Sequence, residues 1–181
     1  MRRLILIALS AAALAGCETS GGPSAPGYTP PPPQPPTSSV FRAQDFVWSQ
    51  SPGRGSIVGT LAFHVADQRY SCAGSDVIAS PETPWSRRRM VTLYGSPVSA
   101  AVPVSVVRDH TPSEPKDVTD AYQSFARRGR CDTGNHFAFA GLADGAWFVI
   151  TVAKPVGGQG QPVVVMRRVE MRGGAKSVTL Q

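Results

Sequence analysis

The stretch that decides the fold is Ala146-Trp147-Phe148-Val149-Ile150-Thr151-Val152. Its residues are all apolar or β-branched, which is the composition of a strand at the centre of a sheet. Gly157-Gly158 follows and predicts a turn into a second apolar run at residues 162–171. The two runs therefore predict a central β-hairpin.

Shorter runs of β-branched and aromatic residues recur about every 8 to 12 residues, separated by turns rich in Gly, Pro and Asp. The predicted strands lie at residues 56–63, 69–72, within 73–81, 90–94, 136–140 and 177–180, with 69–72 returning from 56–63 as a hairpin. Residues 41–48 are predicted as an apolar lead-in or edge strand, and residues 104–108 as a further candidate strand inside a long loop. This pattern is typical of an all-β sandwich.

One short amphipathic helix interrupts the predicted strands. Its apolar residues fall at i, i+3, i+4 and i+7, namely Val118, Ala121, Tyr122 and Phe125. Asp117 is in position to cap the start, and Arg127-Arg128 would form the last turn before a stop at Gly129.

The N-terminus has the layout of a secretory signal peptide. Arg2 and Arg3 precede an apolar run at residues 4–14, which is too short to span a bilayer. The run ends in Leu14-Ala15-Gly16-Cys17, which resembles the lipobox of bacterial lipoproteins. The resemblance implies a signal peptide at residues 1–16, cleaved before a diacylglycerol-modified Cys17. An ordinary signal peptide with a chance cysteine is the alternative.

Glu18 occupies the position where the inner-membrane retention signal of enteric lipoproteins has an aspartate. The resemblance therefore implies a protein of the Gram-negative outer membrane, lipid-anchored on the periplasmic face. Two or three acyl chains on Cys17 would hold it firmly in the membrane.

Residues 17–39 join the predicted anchor to the rest of the chain. They are rich in Pro, Gly and Ser and have almost no apolar side chains, so they cannot bury enough surface to fold. We predict a disordered tether that reaches up to about 60 to 70 Å where it is extended as polyproline II. Its position directly after the anchor favours a spacer over a proline-rich ligand for an aromatic groove. Residues 40–181 then form one domain.

The lipobox determines which cysteines are available to form a disulfide. With Cys17 assigned to the lipid, Cys72 and Cys131 remain in an oxidising compartment, where they are expected to form a disulfide. Such a bond would stabilise the fold by about 4 kcal/mol in the chain-entropy model. Two free thiols or two metal ligands are the alternative, for which the sequence offers few partners.

A second resemblance rests on three glycine-rich segments: Gly55-x-Ile57-x-Gly59-x-Leu61-x-Phe63, Cys72-Ala73-Gly74-x-x-Val77-x-x-x-Pro81, and Asp132-x-Gly134-x-x-Phe137-x-Phe139-x-Gly141-Leu142-x-x-Gly145-x-Trp147. Together they resemble the carboxypeptidase regulatory-like, transthyretin-like (prealbumin-like) superfamily over most of residues 55–180. The resemblance implies a β-sandwich of seven to eight strands, here with one short helix. It also implies a stalk, accessory domain or interaction module. The Tyr-Arg-Gly-Ser signature of the related hydrolase does not occur at residues 177–181.

No nucleophile motif or phosphate loop occurs in the sequence, so neither an enzyme nor a cofactor is expected. The candidate metal ligands are His64, His110, His136, Asp109 and Asp132. No pair of them has the close spacing of a zinc site, so we expect isolated polar histidines and no bound metal.

Three arginine clusters are the candidate anion-binding residues: Arg87-Arg88-Arg89, Arg127-Arg128 with Arg130, and Arg167-Arg168. A guanidinium matches the geometry of carboxylate and phosphate. The alternative is that these arginines are solvated strand edges that deter aggregation. An anionic envelope polymer becomes the expected ligand if the fold brings two clusters together.

Three tryptophans, Trp48, Trp85 and Trp147, are candidates for lining a sugar site. Trp147 is expected in the core because it lies in the most apolar run, and Trp85 is expected to be exposed beside the arginines.

The chain has 18 Lys and Arg against 12 Asp and Glu, and loss of the leader leaves it mildly basic. This charge does not indicate nucleic acid. We expect a lipid-anchored cell-envelope protein that presents a non-enzymatic β-sandwich to another envelope protein. The alternative is a lipoprotein that binds an anionic envelope glycan or peptidoglycan through its arginine clusters. A periplasmic hydrolase ranks last.

Overall fold

The computed structural model describes residues 40–181, so the predictions for the signal peptide, for Cys17 and for the tether lie outside the described residues. The strands in this range are β1 (Gly55–Leu61), β2 (His64–Val65), β3 (Gln68–Ser71), β4 (Asp76–Pro81), β5 (Ser99–Pro103), β6 (Arg127–Arg130), β7 (His136–Leu142), β8 (Gly145–Pro155), β9 (Val163–Met171) and β10 (Ala175–Leu180). The helices are α1 (Pro84–Tyr94), α2 (Val104–Asp109) and α3 (Lys116–Phe125), preceded by a 3₁₀ helix at Ala43–Gln50. None of these described helices is long and apolar enough to cross a membrane.

Strand β8 is the centre of the larger sheet. One edge of β8 pairs with β9, and the other pairs with β4 and, further along, with β3. The sheet continues through β5 beyond β9, β6 beyond β4, and β2 beyond β3. Trp147, Phe148 and Val149 are fully buried. The predicted central strand and its hairpin with residues 162–171 are therefore confirmed.

The smaller sheet has the order β10-β1-β7, with β1 parallel to β10 and antiparallel to β7. The sheets pack through an apolar core that includes Ile57, Leu142 and Trp147. Close approach requires Gly59 in β1, because a Cβ there would lie 2.0 Å from the ring of Phe137. The all-β sandwich class is confirmed.

The disulfide between Cys72 and Cys131 is present, with 5.7 Å between the two Cα atoms. Both cysteines are buried. Backbone bonds flank the disulfide, since Gly74 N donates to Cys131 O and Cys131 N donates to Ser75 O, each at 3.0 Å. The predicted pairing is confirmed, and it joins the loop before β4 to the loop after β6.

The predicted strand at residues 90–94 is wrong, because this run is the second half of α1. A capping box starts the helix: Ser86 N donates to Thr83 Oγ1 at 3.1 Å, and Thr83 N donates to Ser86 Oγ at 2.8 Å. Gly95, with φ of 72°, ends the helix in the left-handed conformation. Met90 is buried against the large sheet, so the apolar run is one face of a helix.

Two further predicted strands are also helical. Residues 104–108 lie in α2, and most of residues 41–48 lie in the 3₁₀ helix. Phe46 of the 3₁₀ helix is fully buried and packs on Phe125 of α3 and Trp85 of α1, with ring centroids 5.2 and 6.2 Å away. These apolar residues therefore build a second aromatic cluster between helices instead of a sheet edge.

The helix predicted around residues 118–125 is confirmed as α3, but both of its ends differ from the prediction. It follows Pro115 and has no side-chain cap, so Asp117 is not the capping residue. It ends at Phe125, and residues 127–130 form β6 along the edge of β4. Arg127 and Arg128, predicted for the last helical turn, lie instead on an edge strand, because they pair with β4.

The predicted hairpin of residues 69–72 with 56–63 is wrong. Strand β3 pairs with the two-residue β2 and with the end of β8, whereas β1 lies in the other sheet. A tight turn at Ala66, with φ of 48°, joins β2 to β3. The chain therefore changes sheets between β1 and β2.

Candidate functional site

Two of the arginine clusters meet at Glu82, which lies between β4 and α1. Glu82 Oε1 accepts from Arg87 Nη1 at 2.6 Å, and Oε2 accepts from Arg168 Nε at 2.6 Å. The Glu82 side chain is 11 % exposed, and Glu82 N donates to Ala146 O at 2.8 Å. This nearly buried carboxylate therefore holds together arginines that lie far apart in sequence.

Beside this group a cavity of about 500 Å³ opens between β9 and β10. We call it the cationic groove. Its lining residues are Arg167, Arg168, Val169, Glu170, Lys176, Ser177, Val178, Thr179 and Gln181. Among the side chains that line it, Glu170 is the one acidic group against three basic groups, so the lining favours an anion.

The two arginines on β9 reach this groove from opposite faces of the sheet. Arg167 extends toward β10, where its Nη1 donates to Thr179 O at 2.9 Å. Arg168 turns the other way, toward Glu82. Pairing of β5 with β9 ends at Ser99 opposite Arg167, and Arg168 N then donates to Val98 O at 2.7 Å. The ladder with β5 does not extend along residues 169–171 of β9, part of which lines the groove.

Glu170 is held in its charged form at one wall of the groove. Arg172 lowers the pKa of this carboxyl by hydrogen bonds of 2.7 and 3.0 Å and by its charge, and Arg168 and Lys176 lower it further. Arg172, the ion-pair partner of Glu170, adds another cation at the rim of the groove. Glu170 is therefore ionised at neutral pH and is paired with Arg172.

The predicted cluster Arg87-Arg88-Arg89 divides into exposed and structural residues. Arg87 and Arg88 are exposed on α1. Arg89 is 16 % exposed, lies 3.4 Å from Glu114, and has its guanidinium 5.4 Å from the ring centroid of Trp85. Arg89 therefore stabilises the helix packing, and only Arg87 and Arg88 of this cluster lie at the surface.

The cluster of Arg127, Arg128 and Arg130 is spread along the edge strand β6. Arg127 donates to Ser49 O at 3.4 Å and Arg128 to Gln123 Oε1 at 3.3 Å, while Arg130 donates to Gly74 O at 3.2 Å. Neighbouring residues of a strand point to opposite faces. These three side chains therefore do not form one patch.

The tryptophans occupy different environments from those expected. Trp85 is 7 % exposed and packs among Phe41, Phe46 and Tyr122, so the prediction that it is exposed is wrong. Trp147 is fully buried, as predicted. The arginines beside Trp85 suggested an exposed position, but residues within one turn of a helix point in different directions. In α1, Trp85 faces inward while Arg87 and Arg88 face outward.

Trp48, the third candidate for a sugar site, is half-buried, and its ring meets that of Trp147 edge-on at 5.3 Å. Trp48, Arg54 and Asp144 line a polar cavity of about 390 Å³. The alternation of Phe46 and Trp48 suggested a strand, whereas the 3₁₀ helix turns these side chains to different neighbours.

The candidate metal ligands do not gather into one cluster, although Asp132 and His136 are in contact. Asp132 Oδ1 lies 3.4 Å from His136 Nδ1, and the backbone N–H groups of His136 and Gly134 lower the pKa of the Asp132 carboxyl. His64 lies on β2, and His110 follows α2. No three His, Cys, Asp or Glu side chains among residues 40–181 come together as a metal site.

Comparison with known proteins supports the fold. No protein-family model matches the chain, and no curated protein matches it. A solved structure from Pseudomonas aeruginosa, described as a "putative carbohydrate binding protein", superimposes with a TM-score of 0.53 at 14 % identity. The match covers 77 % of this chain and 96 % of that one. At this identity the two proteins share an overall fold.

Proposed function

We propose that this protein is a non-enzymatic binding module of the cell envelope that holds an anionic, carboxylate-bearing glycan in the cationic groove. The observation that carries the proposal is that Arg167, Arg168 and Lys176 line one open cavity. Arg168 is held by Glu82 and Arg167 by Thr179 O, so both guanidinium groups are positioned before a ligand arrives.

The chemistry of the groove favours a sugar acid. A planar guanidinium donates two parallel hydrogen bonds to a carboxylate, and an ammonium adds a further charged donor. Ser177 and Thr179 offer hydroxyl and backbone groups for sugar hydroxyls. The carbohydrate-binding description of the Pseudomonas aeruginosa protein is compatible with this ligand class.

The proposal includes the location. We take Cys17 as the lipid attachment site and residues 17–39 as the tether that separates the domain from the outer membrane. Residues 40–181 are then a transthyretin-like module on the periplasmic side. A carboxylate-bearing envelope polymer would lie within reach of such a tether.

The test is calorimetry with an alginate hexamer against maltohexaose, using the lipidated chain in phospholipid nanodiscs at low and high NaCl. The double variant Arg167→Gln, Lys176→Gln removes two exposed cations. At about 0.5 to 1 kcal/mol per exposed charge pair, we expect affinity for the hexamer to fall about 5- to 30-fold. High salt should have the same effect, since it screens exposed charges.

The matched control is Arg69→Gln, Lys154→Gln, which removes the same two residue types from exposed positions on β3 and β8. This control should bind the alginate hexamer as the wild type does at equal salt. Equal losses in both double variants would mean that net charge alone attracts the polymer, and the groove would not be its site. Equal affinity for maltohexaose would also contradict the proposal.

A protein partner is the second candidate, and the outer face of the smaller sheet favours it. Val58 lies on the central strand of this sheet, directly between Ala138 and Ser177 on the neighbouring strands, and is 55 % exposed. Val58 and these two neighbours carry no charge. Crosslinking in intact cells should then recover a protein that survives high salt and is lost in Val58→Lys. Val156→Lys, at another exposed valine, is the control.

A further inference from the structure

A second cavity, of about 230 Å³, lies between α1, α3 and the outer face of the large sheet. None of its lining residues belongs to the cationic groove. It is larger than a cavity of about 150 Å³ that accommodates benzene. There is therefore room for a six-membered ring with one substituent.

The floor of this cavity is a row of residues that face each other across strands. Arg128 on β6 is opposite Ile78 on β4, Ile78 is opposite Ile150 on β8, and Ile150 is opposite Met166 on β9. Residues opposite each other in a ladder share one face of the sheet. The row therefore leads from a guanidinium at the sheet edge onto an apolar floor.

The helices form the walls. Met90 of α1 is buried and lines the cavity, as do Tyr94 at the end of α1 and Tyr122 of α3. The Tyr122 hydroxyl is paired with Ser80 Oγ at 2.6 Å. The Tyr94 hydroxyl makes no hydrogen bond with any residue in the range 40–181, so it can donate to a ligand. Burial raises the pKa of Tyr94 to about 12, which keeps that proton in place at neutral pH.

The two arginines that line the cavity differ in availability. Arg89 is paired with Glu114 and lies over the rings of Trp85 and Tyr122. Arg128 donates to the neutral side chain of Gln123 and forms no ion pair within the described part of the chain. Its charge is therefore available to a ligand carboxylate.

We propose that this cavity binds a small aromatic carboxylic acid. The ring of the ligand lies on the floor formed by Ile78 and Ile150. Its carboxylate accepts hydrogen bonds from the guanidinium of Arg128 and the hydroxyl of Tyr94. An apolar pocket with a few converging polar groups is the usual form of a small-molecule site. This proposal does not depend on the glycan proposal, because the two sites are separate.

The test is calorimetry and ligand-observed NMR with benzoate, using the lipidated chain in nanodiscs and empty nanodiscs as baseline. For a ligand of this size we expect a Kd of about 1 mM. Arg128→Gln should weaken benzoate binding about tenfold and leave benzyl alcohol unchanged. Arg127→Gln is the matched control, since the neighbouring arginine points to the opposite face of β6, and it should bind benzoate as the wild type does.

A filling variant supplies the second test. Ala126 lines the cavity in an extended conformation that any residue adopts, so Ala126→Phe should occupy the space and abolish binding of both probes. Thermal unfolding reports whether each variant is folded. Absence of benzoate binding to the wild type would overturn the proposal, as would equal weakening by the variants at positions 127 and 128. Loss of benzoate in Arg167→Gln, Lys176→Gln would place it in the cationic groove instead and also overturn the proposal.

Discussion

Replacing Glu82 by glutamine tests how the two arginine clusters are held together. The carboxylate accepts from Arg87 and from Arg168, each at 2.6 Å. Glutamine keeps the shape of the side chain but removes its charge and turns an amide NH₂ toward one guanidinium. We expect Glu82→Gln to lower the free energy of unfolding by about 2 kcal/mol.

This magnitude follows from the exposure of the two arginines. The Arg168 side chain is 29 % exposed, and a charged hydrogen bond to a nearly buried carboxylate contributes about 1.5 kcal/mol, the lower end of the usual range, because solvent screens part of it. The Arg87 side chain is 48 % exposed, so its bond contributes about 0.5 kcal/mol, as surface ion pairs do.

The assay is urea unfolding followed by tryptophan fluorescence in a double-mutant cycle. The cycle of Glu82→Gln with Arg168→Gln should give a coupling of about 1.5 kcal/mol, and the cycle with Arg87→Gln about 0.5 kcal/mol. Asp120→Asn is the control, because that carboxylate is exposed and pairs with Lys116, which has no contact with Glu82 or Arg168, and its unfolding midpoint should match the wild type.

The same variant should change ligand affinity in the opposite direction. Removing a negative charge beside the cationic groove makes its potential more positive, by about 1 kcal/mol for a ligand charge at 4 Å in water. Binding of the alginate hexamer at low salt should tighten about two- to fivefold. Wild-type stability in Glu82→Gln, or additive effects in the cycle with Arg168→Gln, would refute the reasoning that Glu82 joins the clusters.

Three further outcomes can be measured with the same unfolding assay. Gly59→Ala should destabilise the fold by about 1 to 3 kcal/mol, since its Cβ would meet the ring of Phe137 at 2.0 Å, and a wild-type midpoint would contradict this packing. Reducing the disulfide between Cys72 and Cys131, which are 59 residues apart, should lower the stability by about 4 kcal/mol, whereas an unchanged midpoint in reductant would contradict the chain-entropy argument. Tyr94 has its pKa raised to about 12 by burial, so the folded state holds this proton more tightly than the unfolded state does, and the stability should be full below pH 10 and fall as the pH rises toward 12. Titration of all tyrosines near pH 10 in the folded protein would contradict that burial.

Long apolar runs and the cysteines could be interpreted from the sequence. The run at residues 146–152 is too apolar and too rich in β-branched residues for any place but a buried central strand, and the structure confirms it. The Cys72–Cys131 pairing followed once Cys17 was assigned to a lipid. These inferences depend on composition, which does not change with the tertiary fold.

The run at residues 90–94 shows where the local pattern is insufficient. Five apolar and β-branched residues fit either a strand or one face of a helix. The capping box of Thr83 and Ser86 and the left-handed Gly95 decide for a helix. Those signals lie outside the run itself, and they act only because Met90 can pack on the large sheet.

By itself the sequence determined the all-β class, the central hairpin and the disulfide, because local composition and cysteine count are sufficient for them. Only the tertiary structure decided that Glu82 joins Arg87 to Arg168, that Trp85 is buried, and that Arg167 meets Lys176 across a groove. The physical reason is that strand pairing and helix docking bring together residues far apart in the chain. Which face of an element is covered depends on its partner, and that partner is not encoded in the element's own pattern.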